Sequence, residues 1–239
     1  MIGAKLSEQD IIVIGAGVVG AATALALRRE RHGVLLIDRE GPAAGASSGN
    51  AGAVVNESCA PTAMPGVWKQ ALASIGDPLS PLSIRPSYLP RAAPWLLRFL
   101  LASRQGRVGS IARELHALTQ HAVSDWRKLT KGTALDGFFH DGGWLKVYET
   151  EAAFAKTAAA RELMDALGVG YELLSVDDIR NLEPALAPIF HHGIFQKSSL
   201  RCDDTAGLVR AMVDEAVSAG AAFRVATVTA LEPQGQRVR

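Results

Sequence analysis

The chain has 239 residues, 48% hydrophobic and 21% charged, enough apolar material for one or two folded domains. A formal net charge of +1 gives no electrostatic case for a nucleic-acid partner. Cys59 and Cys202 stand apart, with neither metal-ligand spacing nor a disulfide framework, so a reduced, cytoplasmic setting is the simpler expectation.

Asp10-Ile11-Ile12-Val13-Ile14 is a short β-branched run that suits a buried strand. Gly15-Ala16-Gly17-Val18-Val19-Gly20 follows directly, then a helical pattern from Ala21 to about Arg31. Val34-Leu35-Leu36-Ile37 makes a second buried strand, closed by Asp38, eighteen positions past Gly20. Strand, glycine turn, helix, strand and acid in this order form a dinucleotide-binding unit. Gly15 allows the turn, Gly17 lets backbone approach a pyrophosphate, and Gly20 lets the helix lie close on the sheet. The helix N-terminus offers N–H groups to phosphates, and the Asp38 carboxylate is placed to accept from ribose hydroxyls. Residues 11–27 carry no charge, so a membrane span is the competing reading. The three spaced glycines and the acids Glu8 and Asp10 before the run argue against it.

Residues 40–52 are almost all small. The loop leaves the carboxyl end of strand two, where ligands of open α/β sheets bind, so it reads as backbone passing close to a large flat ligand. Ser47, Ser48 and Asn50 would supply hydrogen bonds. Residues 53–90 are turn-rich, with a short helix expected over 64–74. Pro94 to Ser103 reads as a core helix. The alternative is an interfacial helix anchored by Arg91, Arg98, Arg104 and Arg107. Arg107 to Leu129 reads as one long amphipathic helix, with Val108, Ile111, Leu115, Leu118, Ala122, Trp126 and Leu129 inward and His116 and His121 solvated. A strand at 143–149, a helix at 151–167 ended by Gly168, a strand at 171–174 and a helix capped by Ser175 with Asp178 follow. After a strand at 193–196, a helix from Thr205 to Ala219 buries Leu208, Met212, Val213 and Ala216, and a strand over 223–228 ends the pattern. His191 and His192 read as loop histidines without a shared site.

Three stretches, Gly15 to Gly20, Ile37-Asp38-Arg39-Glu40 and Ala46-Ser47-Ser48-Gly49-Asn50-Ala51-Gly52, resemble the D-amino-acid oxidase superfamily of FAD enzymes, and within it the bacterial D-amino-acid dehydrogenases. Ala60-Pro61, Pro65-Gly66-Val67, the 142–148 stretch, Glu183-Pro184-Ala185-Leu186 and the 193–231 segment follow in matching order. The resemblance implies an α/β fold: a Rossmann-like FAD domain over 1–90 and 200–239, its parallel sheet flanked by helices, with part of an inserted α+β substrate domain over 91–199. It implies that Gly15, Gly17, Val18, Val19, Gly20, Asp38, Arg39, Ser47, Ser48, Asn50, Ala51, Gly52 and Val228 bind FAD, with Val228 against the adenine.

The implied reaction is hydride transfer from a D-amino acid to flavin N5, followed by hydrolysis of the imino acid to a keto acid and ammonia. A quinone acceptor and peripheral contact with the inner face of the cell membrane are further implications. The family pattern continues past residue 239, where the substrate clamp lies, so the chain reads as an N-terminal portion, inactive alone, and no catalytic residue is assigned. The alternatives are a glycine, sarcosine or hydroxyproline type of oxidase, an NAD enzyme, and an inactive fragment.

Overall fold

The computed structural model of the chain describes residues 11–56, 58–68, 86–235 and 237–238. In chain order its elements are β1 (Ile11–Ile14), α1 (Val18–Arg29), β2 (Val34–Asp38), β3 (Ala53–Val54), α2 (Leu89–Ala102), α3 (Gln105–Thr119), α4 (Ala122–Thr130), β4 (Phe139–Asp141), β5 (Trp144–Tyr148), α5 (Glu151–Ala155), α6 (Ala158–Ala166), β6 (Glu172–Leu174), α7 (Val176–Leu182), β7 (His192–Gln196), β8 (Leu200–Cys202), α8 (Thr205–Ser218), β9 (Ala222–Val225), β10 (Pro233–Gln234) and β11 (Arg237–Val238). Most of the helix expected over 64–74 lies outside the described residues.

The chain divides into two compact units, the first gathering residues up to Val54, Ser124–Asp141 and the chain from Leu200. In it β1, β2 and β9 form a parallel sheet in the order β1-β2-β9, with Ile14 beside Ile37 and Asp38 beside Val225. Helices α1 and α8 pack together through Ala21, Ala24, Leu25, Leu208, Met212, Val213 and Ala216, all buried. Arg29 joins them at the surface, donating to Glu215 at 2.7 Å, and Arg28 donates to the Ala219 carbonyl. The first strand was expected to be buried, but only part of it is. Ile11 and Val13 are half-buried, while Ile12 and Ile14 are 46% and 51% exposed. Alternate strand residues point to opposite faces, and only one face of β1 is covered. The strand expected over 223–228 stops at Val225, where the Ala226 N–H still donates to the Asp38 carbonyl. A second, antiparallel sheet runs β3-β8-β4.

The second unit spans Val55–Val123 and Gly142–Ser199. Its antiparallel sheet runs β5-β7-β6, pairing Trp144 with Gln196 and Tyr148 with His192. The capping box at Ser175 forms as the sequence reads: its hydroxyl accepts from Asp178 N, and Asp178 accepts from Ser175 N. His192 has firm partners: it stacks on Phe154 and pairs with Glu151 at 3.0 Å.

Several expectations fail for tertiary reasons. The long helix over 107–129 is two, α3 and α4, because Asn56 intervenes. Its Oδ1 accepts from Val123 N at 2.8 Å, and its carbonyl accepts from Thr119 Oγ1. Leu118, placed on the inward stripe, is 80% exposed, and His116, placed in solvent, has a buried Nδ1. The helix over 151–167 is also two, divided at Lys156 and Thr157. Helix α2 is not a core helix, since none of its residues is buried. Only Ala92, Leu96, Phe99 and Ala102 are even partly covered, a single stripe at helical spacing.

Candidate cofactor site

The site is built where β1 ends. Gly15 turns the chain at φ +100°, and its N–H donates to the Ile37 carbonyl at 2.7 Å, which seats the turn on β2. A Cβ on Gly20 would stand 1.8 Å from the Gly15 carbonyl oxygen and 3.4 Å from Val13. Only glycine lets α1 start this close to the strand. Ala16, fully buried, is held on both sides: its N–H donates to Asp38 Oδ2 at 2.8 Å and its carbonyl accepts from Ala43 N at 3.0 Å. Ala43 holds that position with a left-handed backbone, φ +62°, a conformation uncommon outside glycine.

Asp38 is more than an exposed acid at a strand tip. Its Oδ1 accepts from Glu40 N at 2.8 Å and Gly41 N at 3.0 Å, besides the Ala16 bond on Oδ2. Burial alone would raise its pKa. The three backbone donors, with Arg39 adding a smaller pull, outweigh that and hold the carboxyl below the ordinary aspartate range. A carboxylate offers about four lone-pair positions, so with three filled, one remains for an incoming hydroxyl. Arg39 is largely exposed and pairs with Glu40 at 3.1 Å.

Ser47, buried in a short 3-10 turn, accepts from Val18 N at 3.0 Å. It caps α1 from 29 residues away, because Gly17 at the N-cap has no side chain to do so. The N–H groups of Val19 and Gly20 in the first turn have no acceptor within the helix. A Cβ on Gly17 would stand 3.2 Å from Ser47 Oγ, so the pair forms a narrow cradle at a positive dipole end. Val19 is 77% exposed there. Ser48 and Asn50 serve the loop itself. Ser48 Oγ donates to the Gly45 carbonyl, Asn50 Nδ2 donates to the Ser47 carbonyl, and Asn50 Oδ1 accepts from Gly52 N at 2.8 Å. Gly52, at φ +65°, presses on β8, its carbonyl accepting from Cys202 N at 2.8 Å. Ala51 beside it is exposed.

From this cradle a cavity of about 260 Å³ extends through the first unit, lined by Val18, Ser47, Asn50, Gly52, Ala53, Val54, Trp126, Phe139, Cys202, Thr205, Leu208 and Val209. Polar backbone and hydroxyls line one part; Trp126 and Phe139, with ring centroids 5.0 Å apart, line another. Asp204 closes the start of α8 beside it, accepting from Gly207 N at 2.7 Å. Burial pushes the Cys202 thiol up, so it stays protonated at neutral pH. The lining therefore offers donors, small residues and aromatic surface in place of an acid–base pair. A phosphate-bearing, partly aromatic cofactor fits this donor set.

Of the residues expected to bind the cofactor, the structure brings the glycine turn, Asp38, Ser47, Asn50 and Gly52 together around the start of α1. Trp126, Phe139, Cys202 and Thr205, which line the same cavity, do not stand out in the sequence, since β3, β4 and β8 meet only through long-range pairing. The weak signal for Cys202 and Thr205 was the Cys202-Asp203-Asp204-Thr205 run just before α8. Val228 lies in irregular backbone past β9, 37% exposed.

A parallel sheet with a glycine-cradled helix start and an aromatic cavity defines a dinucleotide-type cofactor fold. The chain matches the family model of FAD-dependent oxidoreductases, known as DAO, over residues 10–239, and it belongs to that family. It is 35% identical over 233 residues to a D-amino-acid oxidase of Bradyrhizobium diazoefficiens, covering 96% of this chain and 55% of that protein. It is 37% identical over 180 residues to D-amino acid dehydrogenase 2 of Ralstonia nicotianae, covering 74% of this chain and 42% of that protein. The chain thus spans about half the length of the curated relatives it matches. The L-amino acid deaminase of Proteus myxofaciens, solved with anthranilate, shares the fold with a TM-score of 0.64 at 15% identity, covering 99% of this chain and 42% of that one. The cofactor is FAD, and the fold class is the α/β one expected, a parallel sheet with helices.

Proposed function

We propose that the complete protein oxidises D-amino acids to imino acids, as a D-amino-acid dehydrogenase does. The observation that carries this is the joining of the Gly17–Ser47 cradle to a cavity walled by Trp126 and Phe139, in a chain 35% identical to a D-amino-acid oxidase. Bound FAD supplies a hydride acceptor. The chain's own residues bind and orient it. Val19 and Gly20 N–H groups would hold the pyrophosphate, the remaining acceptor position of Asp38 would take a ribose hydroxyl, and Trp126 and Phe139 would keep water from the bound cofactor. Arg39, Ser48, Ala51 and Val228 take positions around the same cofactor, Val228 by the adenine. The first unit is the FAD unit and the second belongs to the substrate domain.

The chain spans about half the length of the curated relatives it matches, no substrate clamp is assigned within it, and the expectation is that these 239 residues alone do not turn over substrate. The open side of β1, with Ile12 and Ile14 exposed, supports further structure covering that sheet. Electrons pass on to a quinone, and the protein meets the membrane peripherally from the cytoplasm. No helix among the described residues is long and apolar enough to cross a membrane.

The test is dye reduction by D-alanine, L-alanine, glycine and sarcosine, run on the complete protein and on the 239-residue chain at equal FAD. The expected result is turnover of the D-isomer by the complete protein alone. Preference for glycine or sarcosine would move the assignment to another amine oxidase. Equal turnover by both proteins would place the clamp inside this chain.

A further inference from the structure

Helix α2 has an amphipathic sequence and yet no buried residue. Its inner stripe is Ala92, Leu96, Phe99 and Ala102. Leu97 and Leu101, one helical turn apart on the other side, are 60% and 40% exposed. Trp95 is 62% exposed and stacks on Phe99 with ring centroids 5.2 Å apart. A contiguous apolar surface of this kind, left in water, marks an interaction site.

The charge around it has one sign. From Pro86 to Arg113 the sequence contains Arg91, Arg98, Arg104, Arg107 and Arg113, and neither aspartate nor glutamate. Among the described residues none of these five arginines pairs with a carboxylate. Arg98, Arg104 and Arg107 converge with Leu101 and Ala102 on an open cleft of about 410 Å³, where α2 gives way to α3. Guanidinium groups grouped without acids attract phosphate.

We propose that this face docks on an anionic lipid surface. Trp95, Leu97 and Leu101 enter the headgroup–acyl boundary, and Arg98, Arg104 and Arg107 hold lipid phosphates. Both halves of the surface are then satisfied at once, the apolar stripe by acyl chains and the cations by headgroups. An acidic protein would match only the arginines. The inference rests on the peripheral membrane contact proposed above, and adds which surface makes it and which lipid it takes.

The experiment is vesicle sedimentation of the complete protein at about 0.1 M salt, using phosphatidylcholine alone or with phosphatidylglycerol. Trp95 is located with lipids brominated on the acyl chain. The expected result is binding to the anionic vesicles only, and quenching of tryptophan emission that Trp95→Phe removes. An arginine near an anionic surface contributes about fivefold in affinity. The triple variant Arg98→Gln, Arg104→Gln, Arg107→Gln should therefore bind about 100-fold more weakly, with dye-linked turnover in solution unchanged. Equal binding by the triple variant would overturn this surface and leave peripheral contact in place. No binding by the unaltered protein would overturn both, without touching the substrate assignment. A triple variant that melts several degrees lower, with Trp95 unquenched, would show the face covered by protein and overturn the proposal.

Discussion

Replacing Asp38 with alanine tests whether this acid is a scaffold as well as a cofactor ligand. The side chain accepts three backbone N–H bonds of 2.8–3.0 Å, one from the fully buried Ala16. Leaving that buried donor without an acceptor costs about 1–3 kcal/mol. The Glu40 and Gly41 donors add less, because water reaches them in part, so the total is about 3 kcal/mol. In a chain of this size each kcal/mol moves the melting temperature by about 2–4 °C, giving a fall of about 6–12 °C. Asp38→Asn keeps one carbonyl acceptor and should lose about half as much. The assay is thermal unfolding of the FAD-free protein followed by circular dichroism, with FAD titration in parallel. The pH dependence has a definite sign. The folded carboxyl titrates below the unfolded one, which sits at about 3.9. The unfolded state therefore takes up its proton first as pH falls. Asp38's contribution is full above about pH 5 and drains away as pH drops through the folded value, so the gap between wild type and Asp38→Ala should narrow as the pH is lowered. An unchanged melting temperature in the FAD-free variant, with FAD affinity reduced tenfold, would refute the scaffold role and leave a ligand role alone.

Gly20→Ala would drive a methyl against the Gly15 carbonyl, 1.8 Å from its ideal position. It should cost about 3 kcal/mol or more, read as loss of soluble, FAD-loaded protein. Ser47→Ala removes the acceptor on Val18 N and should cost about 1 kcal/mol in a denaturant melt. Met212→Ala, at a site with no solvent exposure, should cost about 2–5 kcal/mol in the same melt. Cys59 and Cys202 are both buried, and burial raises both thiols. A thiol reagent at neutral pH should therefore label neither until denaturant is added.

The β1–α1–β2 unit was readable because each of its parts is local. The apolar runs, the glycines and the closing acid lie within thirty residues and need no distant partner to be understood. Asp38 shows where local reading stops. Its type and position pointed to a ribose, while its three backbone bonds, among them one reaching back 22 residues to Ala16, were invisible. The helix over 107–129 failed for the same reason. The periodic pattern carries through Gln120 and His121, but Asn56, more than sixty residues earlier, supplies the cap that starts a second helix. Trp126 lay on that stripe and read as packing; only the pairing of β3 and β4 with β8 makes it a cavity wall. For α2 composition alone misled, since apolar content suggested a core while none of its residues is buried.

The order β1-β2-β9 also sets a schedule for synthesis. The partner of Asp38 in the sheet is Val225. As the chain leaves the ribosome, the first two strands and the glycine turn emerge early, but β2 keeps one edge unpaired until roughly 180 further residues follow. At about 5–20 residues per second that is about 10–40 s. Throughout this interval Val34, Leu35 and Leu36, buried in the finished protein, lie on an open parallel edge. The first two strands thus stay incompletely paired during synthesis, and α8 with β9 is the piece that ends the exposure.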